Sequence, residues 1–140
     1  MTERVAASRP AFPAREWFES LREAVAADAE MGVIGRWCDL DLALAVDEKL
    51  VLLVVRAGKI ADVVQDPGLG ASWDVTLRGT LEDWVTFLQP VPPPFYTDVL
   101  AMNSRVPSFG IEGDRKAFVR HLRALGRTFE LARRLGTGVG

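Results

Sequence analysis

The spacing of apolar side chains changes twice along this chain, and those two changes restrict its fold more than any other feature. Trp17, Phe18, Leu21, Ala24 and Val25 recur at three- and four-residue spacing, with Glu16, Glu19, Arg22 and Glu23 between them. This pattern predicts an amphipathic helix from Ala14 to about Glu30, ended by Met31-Gly32. From Trp37 the period becomes two. Cys38, Leu40, Leu42, Leu44 and Val46 alternate with Asp39, Asp41, Ala43 and Ala45, as in a strand with one buried and one wetter face. Asp47-Glu48-Lys49 reads as a turn, the Val-rich run Leu50 to Val55 as a strand covered on both sides, and Arg56 to Lys59 as a second turn. Ile60 to Gln65 is a third strand stopped by Asp66-Pro67-Gly68, and Trp73, Val75 and Leu77 mark a fourth.

The helical period returns at Leu81. Leu81, Trp84, Val85 and Leu88 share one stripe, with Thr80 as N-cap and Asp83 at the third helical position. Pro90 to Pro94 ends that helix, because proline fixes φ and lacks a donor. Phe95 to Ser104 is expected to form the next helix, Phe109 to Gly113 a short fifth strand, and Arg115 to Leu135 one long final helix faced by Phe118, Leu122, Leu125, Phe129 and Ala132. Strands in a run, followed by helices, argue for an α+β fold rather than a doubly wound sheet. The expectation is about five strands, mainly antiparallel, with helices packed on one face.

At 140 residues the chain is expected to form one domain that buries roughly 70% of its unfolded surface. The expected limits are 14–136, between a flexible tail at 1–13 and a short tail at 137–140. The net charge of −2 excludes the electrostatic footprint of a nucleic-acid binder. No apolar run approaches the length of a membrane span, and the first residues lack the apolar core of a secretion signal. One cysteine allows no intrachain disulfide, so a reducing cytoplasm is the expected compartment. The abundance of Ala, Arg, Gly and Val fits a GC-rich bacterial source.

Little in the sequence points to catalysis. His121, the single histidine, has no partner at a spacing that would ligate a metal or relay a proton. Cys38 is in phase with the apolar residues around it and reads as a small buried hydrophobe. Asp39, Asp41 and Asp74 could act as paired carboxylates, but on a half-exposed strand they read first as a solvated face. The glycines form no phosphate-binding fingerprint. No metal and no cofactor is expected. Arg120, Arg123, Arg127 and Arg133-Arg134 give the last helix a basic side, read first as solvated and second as a contact for a membrane surface. Oligomerisation is left open.

Two stretches carry a family resemblance: SWDVTLRGTLEDW at 72–84, and FGIEGDRKAFVRHLRAL at 109–125, where a strand ending in Gly113-Asp114 runs into a helix. From about Trp17 to Leu125 the chain resembles a standalone sterol-carrier type-2-like domain. The resemblance implies a five-stranded sheet with helices on one face around an apolar tunnel. It also implies binding or transfer of sterols, fatty acids, acyl-CoA or other apolar molecules, usually without catalytic residues. The chain departs from the family pattern in the proline-rich QPVPPPFYTD segment, in its longer final helix and in lacking a peroxisomal tail.

The expected function is therefore binding or carriage of a lipid or other hydrophobic small molecule. The alternatives are an interaction or dimerisation module with a filled core and, third, an accessory enzyme using Asp39, Asp41 or His121 on a steroid-like substrate. The expected pocket lies between the sheet and the helical pair 81–104. Its lining is drawn from Trp84, Phe87, Leu88, Phe95, Tyr96, Val99, Leu100, Met102 and Phe109, because pockets for apolar ligands are mostly apolar with few polar groups. The competing reading is that these side chains simply fill the core.

Overall fold

The computed structural model describes residues 10–138. Helix α1 spans Arg15–Ala27 and buries Trp17, Phe18, Leu21 and Val25, the stripe expected from the sequence. It ends earlier than expected, at Asp28, whose extended backbone (φ −84°, ψ 121°) closes α1 and opens α2, Ala29–Ile34. The Asp28 carboxylate accepts from Met31 N at 2.9 Å, so one side chain caps the new helix where the old one stops.

Strands β1 (Leu40–Val46), β2 (Lys49–Arg56) and β3 (Lys59–Gln65) form an antiparallel meander, with a register shift between Val54 and Val55. Residues 66–74 then carry the chain past β2 and β1, and β4 (Val75–Gly79) pairs parallel to β1, Leu42 opposite Val75 through Val46 opposite Gly79. β5 (Gly110–Gly113) closes the sheet antiparallel to β4, giving the order β3-β2-β1-β4-β5. The sheet is mixed and mostly antiparallel.

Leu40, Leu42, Leu44, Val51, Leu53, Val63, Val75, Leu77 and Ile111 point from the sheet into the hydrophobic core. The helices cover that face: α1 packs on β3 and on the last helix, and α2 packs on the last helix. On the other face small residues, Ala43 and Ala45, are buried, and Trp73 Nε1 donates to Thr76 Oγ1 at 2.8 Å.

The remaining helices are α3 (Leu81–Phe87), α4 (Val99–Arg105), α5 (Arg115–Arg120) and α6 (Leu122–Leu135). The expected capping box at α3 is present: Asp83 N donates to Thr80 Oγ1 at 3.0 Å, and Thr80 N to Asp83 Oδ2 at 3.1 Å. The Gly113-Asp114 step has a physical reason. Gly113 adopts φ 101° against the Asp74 carbonyl, where a Cβ would collide, and Asp114 Oδ1 caps α5 through Ala117 N at 3.0 Å.

Two further expectations need correction. The helix expected from Phe95 begins only at Val99, because Phe95 takes φ 76°, outside the helical region, and Asp98 caps the helix instead. The single helix expected over 115–135 is two, divided at His121 (φ −107°, ψ 16°). Residues next to the expected limits 14–136 also make contacts. Phe12 is buried edge-on against Trp17, and its N–H donates to Thr137 O at 2.7 Å. Trp17 Nε1 donates to Gly136 O at 2.7 Å, so both ends of the described chain are clasped together. The rest of the expected tails, 1–9 and 139–140, lies outside the described residues.

Candidate ligand-binding cleft

The aromatic side chains around α3 divide into two groups. Trp84 is fully buried and centres the first. Its ring lies 5.6 Å from Phe109, 5.9 Å from Phe87 and 6.1 Å from both Phe12 and Phe129. Its Nε1 donates to Ala45 O at 3.0 Å, which satisfies the one polar atom it carries into the core. Leu88 and Met102 are buried in the same core. Four of the nine expected pocket residues, Trp84, Leu88, Met102 and Phe109, are thus packing residues between sheet and helices, and none lines the clefts described below.

The second group borders a surface cleft, although Phe87, Val99 and Phe129 are themselves buried. A half-open cleft of about 450 Å³ lies between α2, the start of α4 and α6. Its apolar surface comes from Ile34, Phe87, Val99, Leu100, Leu122 and Phe129, and its rim from Glu30, Asp98, Arg123, Arg127, Glu130 and Arg133. Three expected residues, Phe87, Val99 and Leu100, line it. Tyr96 sits beside it, partly buried against the core. Phe95 is 49% exposed, with the Arg105 guanidinium 5.1 Å from its ring. Phe87 and Phe129, 5.2 Å apart, belong to both groups: they close the core on one side and floor the cleft on the other.

Sequence reasoning missed the wall supplied by α6. Leu122 and Phe129 share the period of the core residues, and the arginines read as solvated. One signal was available: Gly126, in the middle of a helix, where glycine costs roughly 1 kcal/mol relative to alanine. Gly126 lines the cleft, and a Cβ added there meets nothing within 4 Å. No close contact requires the glycine.

Two arginines hold the rim in different ways. Arg127 is neutralised. Its Nη2 and Nε bind the two oxygens of Asp28 at 2.8 and 3.0 Å, and its Nη1 reaches Glu130 at 3.1 Å and Glu30 at 3.6 Å. The bond from Arg127, assisted by Met31 N–H, holds the Asp28 carboxyl down at about 2. Arg133 instead donates to backbone carbonyls: Nε to Phe87 at 2.8 Å, and Nη2 to Tyr96 at 3.1 Å and Thr97 at 3.0 Å. Its guanidinium lies 4.6 Å from the Phe87 ring centroid, and burial pulls its pKa below the ordinary arginine value. A second cleft of about 370 Å³, bounded by Pro90, Arg127, Glu130, Arg133 and Arg134, shares three of these residues with the first.

The other candidates are engaged in structure. Cys38 is buried, and burial with the nearby Asp39 pushes its thiol up to about 11, away from a reactive thiolate. Asp39 accepts from Ala57 N, Asp41 pairs with Arg56, and Asp74 accepts from Asp41 N, each at 2.8 Å. His121 is the half-buried joint between α5 and α6. Among the described residues no group of His, Cys, Asp and Glu is arranged to hold a metal ion, and no helix is long and apolar enough to cross a membrane.

No protein-family model matches the sequence, and no curated protein matches it. Solved structures do. Sterol carrier protein 2 superposes with a TM-score of 0.70 at 17% identity, covering 86% of this chain and 95% of that one. A conserved hypothetical protein from Thermus thermophilus gives 0.69 at 17% identity, covering 91% of each chain. A ubiquinone synthesis protein, UbiJ-SCP2, gives 0.56 at 13% identity over 83% of this chain and 87% of that one. The shared element is the fold, and in fold this chain is a sterol-carrier-protein-2-like domain.

Proposed function

We propose that the protein binds a lipid or similar amphipathic molecule in the cleft between α2, α4 and α6, without catalysing a reaction on it. The observation that carries this reading is the cleft itself. Its volume of about 450 Å³ falls within the range of roughly 300–1,000 Å³ usual for small-molecule sites. Its apolar floor is bordered by charge, and Gly126 leaves open the space that a side chain would occupy. Each alkyl CH₂ buried on that floor contributes about 0.8 kcal/mol before ordering costs, so a medium-length chain reaches useful affinity. The similarity in fold to sterol carrier protein 2 agrees with this reading.

A second reading is favoured by a different observation. The interior between sheet and helices is filled by Trp84 and its aromatic neighbours, as an interaction module with this fold would require.

Two measurements separate the readings. Native mass spectrometry of the purified protein is expected to show a co-purifying lipid. Titration with medium-chain amphiphiles is expected to perturb the fluorescence of Trp84, which touches both Phe87 and Phe129 across the cleft floor. A Gly126→Phe variant fills the cleft and is expected to abolish the response while remaining folded. A protein that carries no lipid and gives no saturable change with any amphiphile leaves only the module.

A further inference from the structure

The two rim arginines differ in a way that bears on the head group of the ligand. Arg127 is surrounded by Asp28, Glu30 and Glu130, so its charge is already answered. Arg133 forms no ion pair with any described residue, and its three hydrogen bonds all go to carbonyl oxygens. Carbonyls orient a guanidinium without neutralising it. They use Nε and Nη2, leaving Nη1 without a protein acceptor among the described residues, and Nη1 is not sealed from solvent.

Two carboxylates, Glu130 and Asp98, act on Arg133 from a distance. Neither is hydrogen-bonded to it: Glu130 is held by Arg127 at 3.1 Å, and Asp98 caps Ala101 N at 2.8 Å. The second cleft, which begins where the first ends, is lined by Pro90, three arginines and one glutamate. An apolar floor thus leads to a fixed, partly desolvated cation with a free donor.

We propose that the cleft selects an amphiphile with one alkyl chain and an anionic head group, carboxylate or phosphate, and that Arg133 receives that head group through Nη1. This inference rests on the reading that the cleft binds a lipid-like molecule. The alkyl chain lies along Leu122, Phe129 and Val99, and the head sits at the junction of the two clefts. A guanidinium held by three carbonyls loses little freedom on meeting an oxyanion, and such charge-assisted bonds are the strong ones. A solely structural role for Arg133, tying α6 to the α3–α4 connection, needs no preference among head groups.

The experiment is calorimetric titration of the full chain with decanoate, decyl phosphate and 1-decanol, which share a chain and differ in head group. At least one anion is expected to bind about tenfold or more tightly than decanol, and Arg133→Gln is expected to bring that ratio close to one. Tighter binding of decanoate assigns a fatty-acid-type carboxylate, and tighter binding of decyl phosphate a phosphate ester. Equal affinity for all three overturns the head-group proposal and leaves lipid binding standing; no binding of any of them overturns both. Should Arg133→Gln fail to fold, the Arg133 Nε–H resonance of the unaltered protein serves instead. It is expected to shift with the anions and not with decanol, and a resonance that ignores the anions overturns the assignment.

Discussion

The two sides of helix α6 are built for different purposes. Its inner side, with Ala124, Leu125, Leu131 and Ala132, is apolar and buried. Its outer side, with Leu122, Arg123, Gly126, Arg127, Glu130 and Arg133, follows the same helical spacing but mixes apolar, charged and absent side chains. Protein interiors are close-packed, and the buried apolar inner side fits into one. The outer side keeps a volume of about 450 Å³ free, which a layer selected only for stability would fill. In this molecule the sheet-facing interior supplies stability, and the cleft is the part proposed to bind a ligand.

The largest expected effect tests the inner side. Trp84→Ala removes the centre of the aromatic cluster and its bond to Ala45 O. It is expected to lower stability by about 3–5 kcal/mol, read from urea denaturation. A loss below about 1 kcal/mol would show that the interior is loosely packed and would erase the contrast with the cleft.

Met102→Ala and Phe95→Ala form a matched pair. Both residues belong to the same expected pocket in the sequence, yet Met102 is fully buried and Phe95 is 49% exposed. Met102→Ala is expected to cost about 2–5 kcal/mol. Phe95→Ala removes a half-exposed ring that lies against Arg105 and is expected to cost under about 1 kcal/mol. Similar values for the two would break the division of the aromatic residues drawn above.

That pair also shows what the sequence could convey. Determinants that act within a few residues were legible. The alternation of β1, the capping box of Thr80 and Asp83, and the Gly113-Asp114 step into α5 each follow from local sterics and hydrogen bonding, and each is present. Features that depend on distant partners were not. The parallel pairing of β4 with β1 is fixed by how residues 66–74 cross the sheet. Leu122 and Phe129 have the period of core residues whether they face a core or a cleft. Arg127 and Arg133 look alike in sequence, and only the fold gives one three carboxylates and the other three carbonyls. The sequence could not place a pocket, because large apolar residues mark a core and a lipid site equally well.

The anchor between α2 and α6 is tested by Asp28→Asn. Asp28 caps α2 and binds Arg127 through both oxygens, so it fixes one wall of the cleft against the other. Its folded-state pKa is held down from 3.8 to about 2. A depressed carboxyl pKa stabilises the fold above the unfolded-state value, and that stabilisation is lost as pH falls through the folded value. At neutral pH the variant is therefore expected to unfold at lower urea concentration than the wild type, and the gap is expected to close between about pH 4 and pH 2. A gap that stays constant with pH would mean that the ion pair contributes nothing to holding the cleft walls.

The smallest expected change runs in the opposite direction. Gly126 lies within α6, where glycine has more backbone entropy to lose than any other residue, and a Cβ there meets open space. Gly126→Ala is expected to stabilise the protein by about 1 kcal/mol, seen as a higher denaturation midpoint with an unchanged slope. On the inner side of the same helix, Ala132 is fully buried, and enlarging it overpacks the core, expected to destabilise by about 1–3 kcal/mol. Opposite signs for added volume on the two sides of one helix are what a filled interior and an open cleft require. Gly126→Phe carries the test further: it is expected to remain folded and to lose amphiphile binding. If Gly126→Ala were destabilising, the cleft would be closed in solution, and the space that the proposed ligand needs would not exist.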